Sequence, residues 1–137
     1  MIKVLNFIRK KKEIEVSLRW ISDISIKTDG INSLITSLSG GNQQKTMLAR
    51  MIATNPEFLI LDEPTRGIDV GTKKEIHKRI KSLSSVGMAI LVISSEMSEL
   101  MELSDSITIM REGYLTKRFE KNEFDEKSIL AEATGII

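Results

Sequence analysis

The chain has 137 residues, a length that suits one domain with a real hydrophobic core. Its 41% hydrophobic and 28% charged content is ordinary for a globular protein, and 20 Lys+Arg against 19 Asp+Glu leave no global field to attract nucleic acid or anionic lipid. The absence of cysteine excludes disulfide frameworks and thiolate metal sites, and no apolar run approaches the ~20 residues of a membrane span.

The N-terminal MIKVLNFIRKKK puts its apolar part before its basic part and has no small-residue cleavage site, so it does not read as a signal peptide. Arg9 to Lys12 read as a solvated helix face. Over residues 12–22, Ile14, Leu18 and Ile21 recur at helical spacing and predict a helix with one buried face. Lys27 to Ser37 is rich in Thr, Asp, Gly, Asn and Ser and reads as a loop. After Gly40-Gly41 the helical period returns with Met47, Leu48, Met51 and Ile52 on one apolar face, ended by Asn55-Pro56.

FLIL, residues 58–61, is a short apolar run of the kind found in parallel strands covered on both faces. It stops at Asp62-Glu63-Pro64. A following helix carries Ile76, Ile80 and Leu83 inward, and Gly87 ends it before a second buried strand, AILVI at 89–93. A short helix over Glu96 to Leu103 leads to a strand at 107–110. Glu112-Gly113 then predicts a tight hairpin into Tyr114 to Phe119, and residues 125–133 predict a closing helix. Strands alternating with helices imply an α/β layered architecture.

LSGGNQQKT, residues 38–46, has the look of a phosphate cradle. A P-loop needs glycine immediately before its lysine, so that backbone N–H groups wrap a phosphate. Gln44 precedes Lys45, and Ser39 stands where the first glycine should be. The other Lys-Ser/Thr pairs, at Lys27, Lys81 and Lys127, follow Ile26, Ile80 and Glu126. These 137 residues contain no P-loop. Ser39-Gly40-Gly41 nonetheless opens a helix, whose first N–H groups and dipole favour anions; the plainer reading is a loop with a serine N-cap.

FLILDEPT places Asp62 and Glu63 at the carboxyl end of a buried strand, the edge where ligands collect in open α/β sheets. An Asp there can hold Mg²⁺ through water, and the adjacent Glu can polarise a nucleophilic water. The alternative is a polar turn ended by Pro64, which desolvation beside four apolar residues disfavours. His77, the single histidine, reads as a surface residue beside Ile76.

These features, in this order, resemble the ATP-binding cassette ATPases. LSGGN at 38–42 is similar to the signature motif LSGGQ, with Asn42 at its last position; LILDEP at 59–64 is similar to the Walker B strand, and Arg66-Gly67-Ile68-Asp69 to the D-loop. LSGGNQQK, DEPTRGIDVG, ISSEM at 93–97 and the final AEATG resemble the second cassette of tandem ATPases that power bacterial sugar importers. The resemblance runs from about Ser33 to the end; Met1 to about Asn32 fits loosely, as part of a helical subdomain. Ser95 occupies the place where most cassettes carry the switch histidine, and the upstream P-loop and Q-loop are outside these residues.

The resemblance implies a partial P-loop NTPase (RecA-like) α/β fold that lacks the P-loop strand. Residues 1–55 would be part of the helical subdomain and residues 56–137 part of the ATPase core. It implies ATP and Mg²⁺ as cofactors, with Ser39, Gly40, Gly41, Asn42 and Gln43 facing the nucleotide of a partner cassette in a head-to-tail dimer. Asp62 would hold Mg²⁺ through water, Glu63 would polarise the attacking water, Asp69 would lie at the interface, and Ser95 would be a degenerate switch residue. The expected function is an ATP-hydrolysing fragment of a carbohydrate importer, inactive alone. It would work beside transmembrane permease subunits at the cytoplasmic side of the cell membrane, with no nucleic acid.

Two other readings are a truncated, non-enzymatic cassette remnant that at most docks onto a partner, and a DNA-repair or chromosome-maintenance ATPase. The DEPTRGID wording and the lack of coiled-coil heptads argue against the latter. The resemblance further places the missing P-loop strand between 89–93 and 107–110, leaving two unpaired edges, so the chain is expected to be marginally stable, to self-associate, or to belong beside the rest of a split cassette.

Overall fold

A computed structural model describes residues 9–136. In chain order these form α1 (Lys10–Asp23), a 3-10 turn (Ile35–Ser37), α2 (Gly40–Ile52), β1 (Phe58–Asp62), α3 (Val70–Ser85), β2 (Ala89–Ile93), α4 (Met97–Leu103), β3 (Ser106–Arg111), β4 (Tyr114–Glu120), a second 3-10 turn (Lys121–Glu123) and α5 (Glu126–Thr134). The signal-peptide question falls on Met1 to Ile8, outside the described residues; Arg9 to Lys12 are exposed at the start of α1 as expected. No described helix is long and apolar enough to cross a membrane. The chain divides into two compact units, one running to Leu59 with Thr65–Ala89, the other combining Ile60–Pro64 with the chain from Ile90 onward.

In the first unit α1 buries none of its residues, and Ile14 and Leu18 are exposed, Leu18 at 55%. The expected inward face is therefore covered only toward its end, where Ile21 is half-buried, and full burial starts just beyond it at Ile24 and Ile26. On α2 the buried stripe is Gly41, Lys45, Leu48, Ala49 and Ile52, spaced four, three, one and three residues apart as one helix face requires. Met47, expected on that face, falls between its rows and is exposed. The inward residues of α3 are Ile76, His77, Ile80 and Leu83, so the sequence reading of His77 as a surface residue is wrong: it is 3% exposed and sits on the apolar stripe. Lys45 is buried because its ammonium has two acceptors, the Glu75 carboxylate on α3 and, just after α1, the Ser25 carbonyl at 3.1 Å.

β1 and β2 form a two-stranded sheet. Ala89 N–H donates to the Glu57 carbonyl at the start of the pair and Glu63 N–H to the Ile93 carbonyl at its end, so the strands run parallel, with Phe58 beside Ala89 and Ile60 beside Leu91. Leu59 and Leu61 are buried, whereas Ile60 (53%) and Leu91 (45%) are exposed together with Phe58 and Ile93. The expectation of strands covered on both faces is overturned. Only one face has a partner among the described residues, and the other is a bare apolar surface of the kind that drives association. Replacing both Ile60 and Leu91 by Thr, a good strand former, is expected to reduce concentration-dependent light scattering while leaving the circular dichroism unchanged. Scattering equal to that of the parent would show that this face is not what associates.

β3 and β4 make a separate antiparallel hairpin, pairing Ile107 with Phe119 and Arg111 with Tyr114, with an irregularity between Thr108 and Met110. Glu112 (φ 51°) and Gly113 (φ 85°) both take the left-handed conformation that a tight two-residue hairpin turn demands. Ile107, Ile109, Phe119 and Ile129 form the core of the second unit, with Met97, Leu100, Met101, Phe124 and Ala133 packed around it. Lys121 Nζ donates to the carbonyls of Met101 (2.7 Å) and Ser104 (3.0 Å), satisfying acceptors at the end of α4. α5 starts at Asp125, whose carboxylate accepts from the Ser128 hydroxyl (2.7 Å) and N–H (2.9 Å); these bonds hold its pKa below the ordinary 3.8.

Candidate functional site

The first cluster belongs to the first unit. Ser39 precedes α2 in an extended conformation, but its side chain does not cap the helix in the way the plainer sequence reading supposes. Its hydroxyl oxygen instead accepts from Asn42 Nδ2 at 2.8 Å, while Asn42 Oδ1 accepts from the Lys27 N–H at 2.8 Å. Gln43 Nε2 donates to the Leu38 carbonyl at 2.8 Å. Asn42 and Gln43 thus brace the loop that enters the helix, and the first-turn N–H groups keep no partner within the helix. Ser39 and Gly40 are exposed, and a Cβ added at Gly40 would meet nothing closer than the Gly67 carbonyl at 4.0 Å. Gly41 is the opposite case. It is buried against α3, where an added Cβ would stand 2.8 Å from Thr72 Cγ2.

Asp69 is in the same unit and caps α3. Its Oδ1 accepts from the Thr72 N–H at 3.0 Å and its Oδ2 from the Thr72 hydroxyl at 2.7 Å. The backbone bond from Thr72, followed by the hydroxyl bond, holds the Asp69 pKa below the ordinary 3.8. Sequence reading singled out Asp69 but missed Thr72. An Asp followed three residues later by a hydroxyl residue at a helix start could have flagged it.

The second cluster belongs to the second unit and unites two residues that sequence reading proposed separately. Ser95 N–H donates to Glu63 Oε1 at 2.9 Å, and Glu63 N–H donates to the Ile93 carbonyl at 2.8 Å. Glu63 holds φ 47°, a conformation costing a non-glycine residue roughly 1 kcal/mol, so the surrounding bonds must impose it. Asp62 ends β1 beside it and is exposed. No group of three or more His, Cys, Asp or Glu side chains able to hold a metal occurs among the described residues. One exposed carboxylate fits Mg²⁺, which keeps several waters and takes one or two carboxylates plus phosphate oxygens. The exposed start of α2, with its serine and glycine, is chemically suited to a phosphate.

Residues 2–66 match the family model described as "ABC transporter". The chain is 44% identical over 134 residues, 98% of its length, to the ribose import ATP-binding protein of Clostridium tetani, of which it covers 26%. It is 45% identical over 119 residues to a ribose import ATP-binding protein of Streptomyces avermitilis, covering 87% of this chain and 24% of the relative. To the xylose import ATP-binding protein of Moorella thermoacetica it is 44% identical over 128 residues, covering 93% and 25% respectively. The chain spans about a quarter of the length of the curated relatives it matches. A dimeric ATP-binding cassette solved with ADP and Pi superposes with a TM-score of 0.76 at 22% identity, over 89% of this chain and 53% of that one. At that identity the likeness shows the fold, which is that of part of a cassette.

Proposed function

From its resemblance to the sugar-import ATPases of the ABC transporter family, we propose that this chain is the signature-bearing part of an importer's ATP-binding cassette. The observation that carries the reading is the start of α2. Ser39 and Gly40 stand exposed where first-turn N–H groups are unfilled, braced from behind by Asn42 and Gln43, in a chain with no P-loop of its own. Ser39, Gly40 and Gly41 then close over the γ-phosphate of an ATP held by the P-loop of a second cassette, docked head to tail. Asn42 and Gln43 hold that edge in place.

Asp62 and Glu63 face this cassette's own nucleotide, Asp62 holding Mg²⁺ through water. Mg²⁺, when bound, neutralises charge on the phosphate oxygens. Glu63 orients a water for attack, with its carboxylate steadied by the Ser95 N–H, and Asp69 lies at the interface between the two sites. The cargo is a carbohydrate, carried by transmembrane permease subunits against which the cassettes dock on the cytoplasmic face.

As a separate 137-residue polypeptide the chain lacks the lysine and amide nest that bind the phosphates most strongly, so it neither holds ATP tightly nor hydrolyses it. The test titrates the purified chain with ATP, alone and after adding a P-loop-bearing cassette. Saturable micromolar binding by the chain alone, or no change in the partner's hydrolysis on mixing, would overturn the proposal.

A further inference from the structure

We propose that Thr72 is a positioning residue that ties the LSGGN helix to Asp69, so that the phosphate cap and the interface carboxylate of one cassette move as a single piece. This rests on the function proposed above. The contact is continuous from Gly41 through Thr72 to Asp69. A Cβ at Gly41 would lie 2.8 Å from Thr72 Cγ2, close enough that something must shift, and 3.1 Å from its Oγ1 and 3.3 Å from its Cβ, both tight contacts. Thr72 cannot turn away freely. Its Oγ1 donates to Asp69 Oδ2 at 2.7 Å and its N–H to Oδ1 at 3.0 Å, so rotating the side chain to withdraw the methyl breaks the hydroxyl bond.

An ordinary N-cap needs only the bond from the backbone N–H. Here the second carboxylate oxygen is also held, by a hydroxyl whose rotamer is pressed from the other side by a helix that has no room for a side chain. The cap on the partner's phosphate and the carboxylate at the interface therefore have one mechanical link, and phosphate closing on α2 is felt at Asp69. The low pKa of Asp69, set first by Thr72, agrees with this arrangement.

The experiment mixes the chain with a P-loop-bearing cassette and compares Gly41→Ala, Thr72→Ser, the double variant and Thr72→Val, with Ser39→Arg in parallel. Gly41→Ala is expected to lower ATP hydrolysis about fivefold or more. Thr72→Ser keeps the hydroxyl, deletes the methyl and should stay near the parent. The double variant should recover most of the Gly41→Ala loss. Thr72→Val keeps the shape, frees Asp69 Oδ2 and should fall with Gly41→Ala.

A second readout is the Asp69 carboxylate titration of the chain alone, followed by NMR. It should move up toward the ordinary value in both Gly41→Ala and Thr72→Val. A double variant as poor as Gly41→Ala, or an Asp69 titration that Gly41→Ala leaves in place, would overturn the link. If Ser39→Arg leaves hydrolysis intact, the proposed function falls instead, and the titration still decides whether Gly41 and Asp69 are coupled.

Discussion

If this chain completes the ATP site of a P-loop-bearing partner as proposed, Ser39→Arg is expected to lower the mixture's hydrolysis by about a hundredfold or more, while leaving the chain's own fold intact. The magnitude is that of losing a preorganised donor aimed at developing phosphate charge. Sterics add to it. Ser39 is exposed and precedes α2, so a longer side chain can be accommodated in the free chain without displacing the core. In the proposed pair the same side chain would fill the space assigned there to the γ-phosphate. Asn42 also loses the Ser39 hydroxyl it donates to, which loosens the loop held at Lys27. The measurement is steady-state phosphate release from the mixture, with circular dichroism of the variant as control. Unchanged release would remove the start of α2 from the nucleotide site.

Ile129→Ala is expected to cost the chain about 3 kcal/mol, the usual toll for truncating a fully buried isoleucine. Ile129 is 0% exposed and meets Ile107, Ile109 and Phe119 in the core of the second unit. The residues given to this core are apolar, so the truncation leaves a void lined mainly by hydrocarbon. Against a total stability of roughly 5–15 kcal/mol, that loss lowers the melting temperature of this unit by roughly 10 °C. Leu130, its neighbour in sequence, is 53% exposed, and Leu130→Ala should change little. Thermal melts of the two variants side by side check the pair. Equal melting temperatures would show that α5 does not seal the hairpin core.

The order of helices and strands was legible because each rule used is local. Ile76, Ile80 and Leu83 recur at helical spacing, Gly87 and Asn55-Pro56 interrupt, and Glu112-Gly113 carries the chemistry of a tight turn. Inward faces were legible on α2 and α3, where Leu48, Ile52, Ile76, Ile80 and Leu83 are buried, but not on α1 or on the outer face of the strands. FLIL has the composition of a two-faced strand, but no spacing rule says whether Phe58 and Ile60 find a cover, and none lies over them among the described residues. The burial of Lys45 depends on Glu75, thirty residues on, which supplies its counter-charge. His77 reads as a surface residue because nothing near it in sequence makes it a ligand or base, yet it lies within the buried stripe of α3.

The candidate site divides the same way. Ser39, Glu63 and Asp69 are marked by motif. The Asn42 brace, the Ser95–Glu63 bond and the Gly41–Thr72 contact depend on distance in space and had no signal in the chain of letters.

The donor that steadies Glu63 is the peptide N–H of Ser95, and a peptide N–H survives almost any substitution. Position 95 can therefore change its side chain, from an imidazole to a hydroxymethyl or a methyl, without releasing the carboxylate it holds. Proline alone, having no amide hydrogen, is barred.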